Sequence, residues 1–127
     1  MDDRLFRDAM GKFATGVTVL LTENEGEVHG MTANGFMSVS LDPKLVVISI
    51  GHKAKFLEKV ATSRQYTVNI LAEDQEHYSR HFAGRPNGEI AFGKLASLPV
   101  LEGAIAQVAC EVVSEHIEGD HTLFIGK

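Results

Sequence analysis

The sequence predicts a mainly β fold: an antiparallel barrel with short helices at its periphery. Three observations predict it. β-branched and apolar runs recur along the whole chain, at GVTVLL, LVVISI, YTVNIL, AIAQVACEVVSEHIE and HTLFI. Gly, Asn, Asp and Pro punctuate them at hairpin spacing. The regular strand–helix alternation of a parallel, doubly wound fold is missing.

Taken in order, Leu5, Phe6, Ala9, Met10 and Phe13 recur at helical spacing, with Asp2 and Asp3 placed to favour a helix start. Gly16 opens the strand GVTVLL, and ENEGE at 23 to 27 supplies a turn. VHGMTANGFMSVSL then reads as one twisted strand, bulged at Gly35. Asp42-Pro43 breaks it. LVVISI, at 45 to 50, is apolar enough for a strand buried on both faces. KAKFLEKVATS predicts a short amphipathic helix, YTVNIL a strand, and EDQEHYSRHFAG a helix with Tyr78 and Phe82 on one face. The Gly- and Pro-rich stretch 84–103 predicts a long surface loop. The 104–118 strand turns at Glu118-Gly119-Asp120 into a last strand, HTLFIGK.

The chain has 127 residues, 44% of them hydrophobic, which suits one domain, 1–127, with one core. A formal net charge of −5 and a pI near 5.6 leave no basic stripe, so nucleic acid is not an expected partner. Cys110 is the lone cysteine, which excludes an intrachain disulfide and fits a reducing compartment. No apolar run approaches the roughly 20 residues of a membrane span, and the charged start lacks a secretory pattern, so a cytoplasmic protein is expected. The apolar strand residues at the C-terminus suggest a further segment, or one supplied by a partner subunit.

Several motifs carry little. Gly88, Gly93 and Lys94 match a phosphate-binding loop, but Leu95 stands where Ser or Thr would hold magnesium. His77 and His81 share a helical face without an evident third metal ligand, and read as surface histidines. Cys110 reads as a small buried hydrophobe. No GxSxG elbow marks a serine nucleophile, and no GxGxxG marks a Rossmann dinucleotide site. His121 follows the Gly119-Asp120 turn; spacing alone leaves a turn role and a cleft role open. The segment MTANGFMSVSL, 31 to 41, is different: small polar groups alternate along strand backbone and leave the main chain accessible. A planar polar ligand lying edge-on to N–H and C=O groups needs that combination.

Five segments in order, FRDAMGKFATGVTVL, GMTANGFMSVSLDPKLVVISI, YTVNIL, FAG and GDHTLFIG, resemble the flavin reductase-like domain. This is the FMN-binding split barrel of two-component monooxygenase reductases. The phenol hydroxylase and 4-hydroxyphenylacetate monooxygenase reductases are the most similar groups. The resemblance implies a homodimeric, six-stranded Greek-key barrel that binds FAD or FMN and oxidises NADH, with NADPH as the alternative reductant. It implies a separate oxygenase component that receives reduced flavin. Carried over by motif, Thr32, Ala33, Asn34, Ser38, Val39 and Ser40 would line the isoalloxazine and ribityl chain. Ser49, Ile50, Gly51 and the run His52, Lys53, Ala54, Lys55 would lie toward the phosphate, and Phe82 and Ala83 near the ring. His121 would stand where nicotinamide stacks. No general acid or nucleophile is required, because the cofactors hold the chemistry. Two departures stand out: Gly35 replaces the family's usual small residue, and the chain ends at Lys127, where members usually continue into another strand. The rival readings are a split barrel that binds flavin without turnover, and an oxidase of the pyridoxamine-phosphate type, for which a basic phosphate cluster is not evident. LVVISI and the terminal strand also predict apolar surface in excess of one small barrel, hence a homodimer.

Overall fold

Nine strands and three helices are present in the computed structural model, which describes residues 1–86 and 88–127. Helix α1 spans Asp3–Met10, capped by Asp2, whose carboxylate accepts from the Arg4 and Leu5 amides. Strands β1 (Thr18–Asn24) and β2 (Glu27–Ala33) form the expected hairpin over Glu25-Gly26, both at positive φ. Strands β3 (Phe36–Leu41) and β4 (Lys44–Gly51) form a second, around the cis Asp42-Pro43 bond. Helix α2 (Phe56–Ser63), β5 (Gln65–Ile70), a 3₁₀ turn (Glu73–Gln75) and helix α3 (Glu76–Phe82) follow. The chain closes with β6 (Gly93–Leu95), β7 (Leu98–Val100), β8 (Ala106–Glu118) and β9 (His121–Gly126).

Among the described residues the main sheet has seven antiparallel strands, one more than the resemblance implies, in the order β2-β1-β5-β8-β9-β4-β3. β2 and β3 are neighbours in sequence but occupy its two opposite edges. The chain from Ala33 to Phe36 spans at most about 11 Å, so those edges must lie side by side. The sheet therefore curls into a barrel with a slit between β2 and β3. β8 makes the curl: residues 106–111 pair with β5, residues 112–118 with β9, and the register shifts between Val112 and Ser114.

This corrects the expectation of one strand over 28–41. The segment breaks at Asn34-Gly35, where Gly35 O accepts from the Ser49 amide at 2.8 Å, and the bulge lies between Ser38 and Ser40 instead.

Two apolar clusters explain why β1 is buried on both faces. Leu20 points into the barrel with Ile48, Ile50, Phe56, Val60, Tyr66, Val68 and Phe124. Val19 and Leu21 point outward onto Leu101, Tyr78, Phe82 and Phe92. β4, predicted to be buried on both faces, alternates instead, with Ile48 and Ile50 buried and Val47 and Ser49 half-buried. The predicted surface loop is partly structured. Its end forms the β6–β7 hairpin and buries Val100 and Leu101. Asn69 accepts from the Leu101 amide at 2.9 Å, and Thr67 donates to Pro99 O at 2.7 Å. Asn87, inside that predicted loop, lies outside the described residues.

Candidate functional site

The slit-side edge of β3 carries the segment singled out in the sequence. β3 hydrogen-bonds only to β4, so its other edge presents unpaired backbone groups. Ser38 faces Val46 and Ser40 faces Leu45, which leaves Val39 bulged out of the ladder and half exposed. Among the described residues neither serine hydroxyl has a hydrogen-bond partner, and neither has the Asn34 amide. Asn34 is exposed and borders a cavity of about 210 Å³ with Thr15, Gly16 and Phe36.

Other members of the expected set are already engaged. The Thr32 hydroxyl donates to Ser79 O at 2.5 Å and ties β2 to α3. Ala33 O accepts from the Thr18 hydroxyl at 2.5 Å. The Ile50 side chain is fully buried in the barrel, so only its backbone faces a ligand. The Phe82 ring packs in the second core, 6.4 Å from Phe92 by ring centroids, and Ala83 is the exposed end of α3.

At the far end of β4 the chain turns through His52-Lys53-Ala54-Lys55 into α2. His52, Lys53, Lys55 and Lys59 border a cavity of about 400 Å³, with Glu58 as its acidic member. None of these lysines is ion-paired among the described residues. Lys55 sits at the α2 N-cap without a side-chain capping bond, and the Leu57 amide donates to Ala54 O at 3.2 Å. Lysines clustered at a helix start suit a phosphate.

His121 starts β9 directly opposite Gly51. Its Nδ1 lies 2.8 Å from Asp120 Oδ1. That hydrogen bond is the main reason the Asp120 carboxyl is held below its ordinary value of 3.8. Asp120 is itself fixed through its backbone, since its carbonyl accepts from the His52 amide at 2.9 Å. The His52 ring closes the frame on the Thr122 hydroxyl at 3.1 Å. The ring so placed has Nδ1 toward Asp120 and Nε2 toward Gly51, where a Cβ would lie 3.6 Å away.

The fold thus gathers Asn34-Gly35, Ser49 to Lys55 and Asp120 to Thr122 around one end of β4, with Ser38 to Ser40 along the neighbouring edge. Sequence reasoning missed Asp120 and Thr122 as the frame of His121; the adjacent acid in GDHT was the available signal. A flavin fits this arrangement, with open strand amides and unbonded hydroxyls for a polar ring edge, and lysines for a phosphate.

The flavin reductase like domain matches residues 10–127 of the chain. An NADH-dependent flavin reductase from Rhodococcus sp. is 48% identical over 126 residues, covering 95% of this chain and 72% of that protein. The reductase component of 4-hydroxyphenylacetate 3-monooxygenase from Thermus thermophilus is 39% identical over 121 residues, covering 95% of this chain and 78% of the relative. The solved flavin reductase PheA2 superposes with a TM-score of 0.97 at 61% identity, over 100% of this chain and 84% of its own. With sequence, fold and site in agreement, the chain belongs to the flavin reductase-like domain family.

Proposed function

We infer that this protein is an NADH-dependent flavin reductase, the reductase component of a two-component monooxygenase. The observation that carries this is the 48% identity to a flavin reductase over 126 residues, combined with a free β3 edge and a lysine-lined turn on one barrel. When bound, the flavin accepts the hydride that nicotinamide supplies; the protein contributes position and electrostatics. Ser38, Val39 and Ser40 with Asn34 hold the ring edge through hydroxyls, the side-chain amide and free backbone groups. Amides of that edge also stabilise developing negative charge, as oxyanion donors do. Ser49, Gly51, Lys53, Ala54 and Lys55 form the phosphate end. His121, held by Asp120, orients the nicotinamide and moves no proton, since hydride transfer requires none.

The partner this implies is a separate oxygenase component that takes up reduced flavin. The protein works as a homodimer in the cytoplasm; no helix among the described residues is long and apolar enough to cross a membrane. The test is direct. Purified protein with NADH and free FAD or FMN should consume nicotinamide absorbance in proportion to enzyme. Tight flavin binding with no such loss would leave a flavin carrier and overturn the reductase reading.

A further inference from the structure

Strand β4 ends at Gly51, opposite His121, yet the chain stays tied to the β8–β9 turn one residue further on. The His52 amide donates to Asp120 O at 2.9 Å, and the His52 ring places Nε2 3.1 Å from Thr122 Oγ1. His52 therefore grips the residues on both sides of His121. Thr122 is 4% exposed, so its strand fixes the hydroxyl, and among the described residues that hydroxyl has no other hydrogen-bond partner. A threonine hydroxyl both donates and accepts, so the contact holds in either tautomer of the ring. The rest of the 52–55 turn offers no such tie. The Ala54 amide donates back to Gly51 O at 3.0 Å, and among the described residues neither Lys53 nor Lys55 bonds to β9. His52 is thus the one joint between the lysine turn and the strand that starts at His121.

We propose that His52 is a positioning residue that couples the two ends of the site. A phosphate held at Lys53 and Lys55 orders the turn, and His52 passes that order to Asp120, His121 and Thr122. The proposal rests on the reading that these lysines take the flavin phosphate and that His121 faces the nicotinamide. It gives the phosphate, remote from the reacting ring, an effect on hydride transfer through orientation alone. Binding energy far from the reacting atoms can be used in this way to set geometry at them. His52 itself moves no proton in this role.

The experiment compares FMN with riboflavin, which carry the same isoalloxazine and differ only in the phosphate. Steady-state NADH oxidation by the full chain, at saturating flavin, is measured for wild type, His52→Ala, His52→Gln, Thr122→Val and His121→Ala. In wild type, kcat/KM for NADH should be about fivefold or more higher with FMN than with riboflavin, the low end of ordinary coupling between sites. His52→Ala should bring that ratio within about twofold of one. The residue is exposed, so the unfolding midpoint should stay near wild type. Thr122→Val, which keeps the branched shape and removes the hydroxyl, should lower the ratio as well. His52→Gln, whose amide also donates and accepts, should restore part of it. A loosened fold would depress both flavins alike and leave the ratio intact. A wild-type ratio near one, or a ratio that His52→Ala leaves unchanged, overturns the proposal. In that event a loss of NADH efficiency in His121→Ala with both flavins keeps the reading of His121, and tighter binding of FMN than of riboflavin keeps the phosphate end. If wild type consumes no NADH with either flavin, the reductase reading and the proposal fail together.

Discussion

His121 shows how little a residue's type says before its neighbours are known. Spacing left it between a turn role and a cleft role; the Asp120 contact and the facing Gly51 give it a fixed ring plane. His121→Ala should keep flavin affinity and lower kcat/KM for NADH by about tenfold or more, since misplacing the reacting carbon by about 1 Å can cost a hundredfold. A value within about twofold of wild type, below ~0.5 kcal/mol, would make it a turn residue only. Acidification should weaken the same contact only once Asp120 is protonated, below its ordinary 3.8. Tyr66 and Cys110 are a second residue-scale case. Both are buried, and the Tyr66 hydroxyl has no well-formed partner among the described residues. Burial raises both groups, from ordinary values of 10.0 for the phenol and 9.0 for the thiol. A raised folded pKa supports the fold below the unfolded value and stops doing so as pH climbs. Stability should therefore fall from about pH 9 upward as unfolded chains ionise first. Tyr66→Phe removes an unsatisfied hydroxyl worth roughly 1–3 kcal/mol of desolvation. Its melting temperature should match or exceed wild type and decline less in alkali; a clear drop at neutral pH would mean that the hydroxyl has a working partner.

Among the elements, β3 and β2 divide the labour that the sequence seemed to give to one strand. Ser38 and Ser40 sit on an open edge with unbonded hydroxyls, so they are free for a ligand. Replacing both with valine, a good strand former, should leave the unfolding midpoint near wild type and weaken flavin binding about tenfold, as expected for lost hydrogen bonds. Undiminished affinity in a fluorescence titration would detach the flavin from this edge. β2, by contrast, is built against α3. A Cβ on Gly30 would lie 2.5 Å from Phe82 Cδ1 and 2.8 Å from Leu21 Cδ2. Gly30→Ala should cost about 1–3 kcal/mol by overpacking, visible as a lowered denaturant midpoint; a shift under about 0.5 kcal/mol would mean that Phe82 is free to move. These elements also mark what the sequence could reveal. β1, β5, β8, β9 and all three helices were legible, because local period and punctuation specify them. The separation of β2 from β3 was not, since it depends on which distant strands each one finds. Nor was the β6–β7 hairpin, which Asn69 and Thr67 anchor across more than thirty residues. Ser38, Ser40, the lysine turn and His121 were legible as site candidates by motif. The engagement of Thr32 with Ser79 was invisible until α3 was placed.

At the scale of the molecule the question is what covers its apolar exterior. The sequence pointed to LVVISI and the terminal strand, but Ile48, Ile50 and Phe124 are fully buried within one chain. The excess lies elsewhere. α1 buries none of its residues, and Leu5, Met10 and Phe13 face outward. Leu41 on β3 and Ile117 on the far half of β8 are 80% and 74% exposed. The chain's surface is 8397 Å², against about 6,600 Å² expected for a globular monomer of 13.8 kDa. The difference exceeds the roughly 800 Å² that each partner contributes to a standard interface. A second copy would cover such a surface with the least new design, because a two-fold interface needs only one self-complementary patch. It would also shelter the unpaired β3 edge beside the flavin residues. Sedimentation at micromolar concentration should therefore give twice 13.8 kDa. Charged replacements at two exposed sites, Leu41→Glu and Ile117→Lys, should shift the protein toward monomer while leaving the barrel folded. The expectation fails if the unmodified chain sediments as a stable monomer that still binds flavin, for then neither the apolar exterior nor the site requires a second copy.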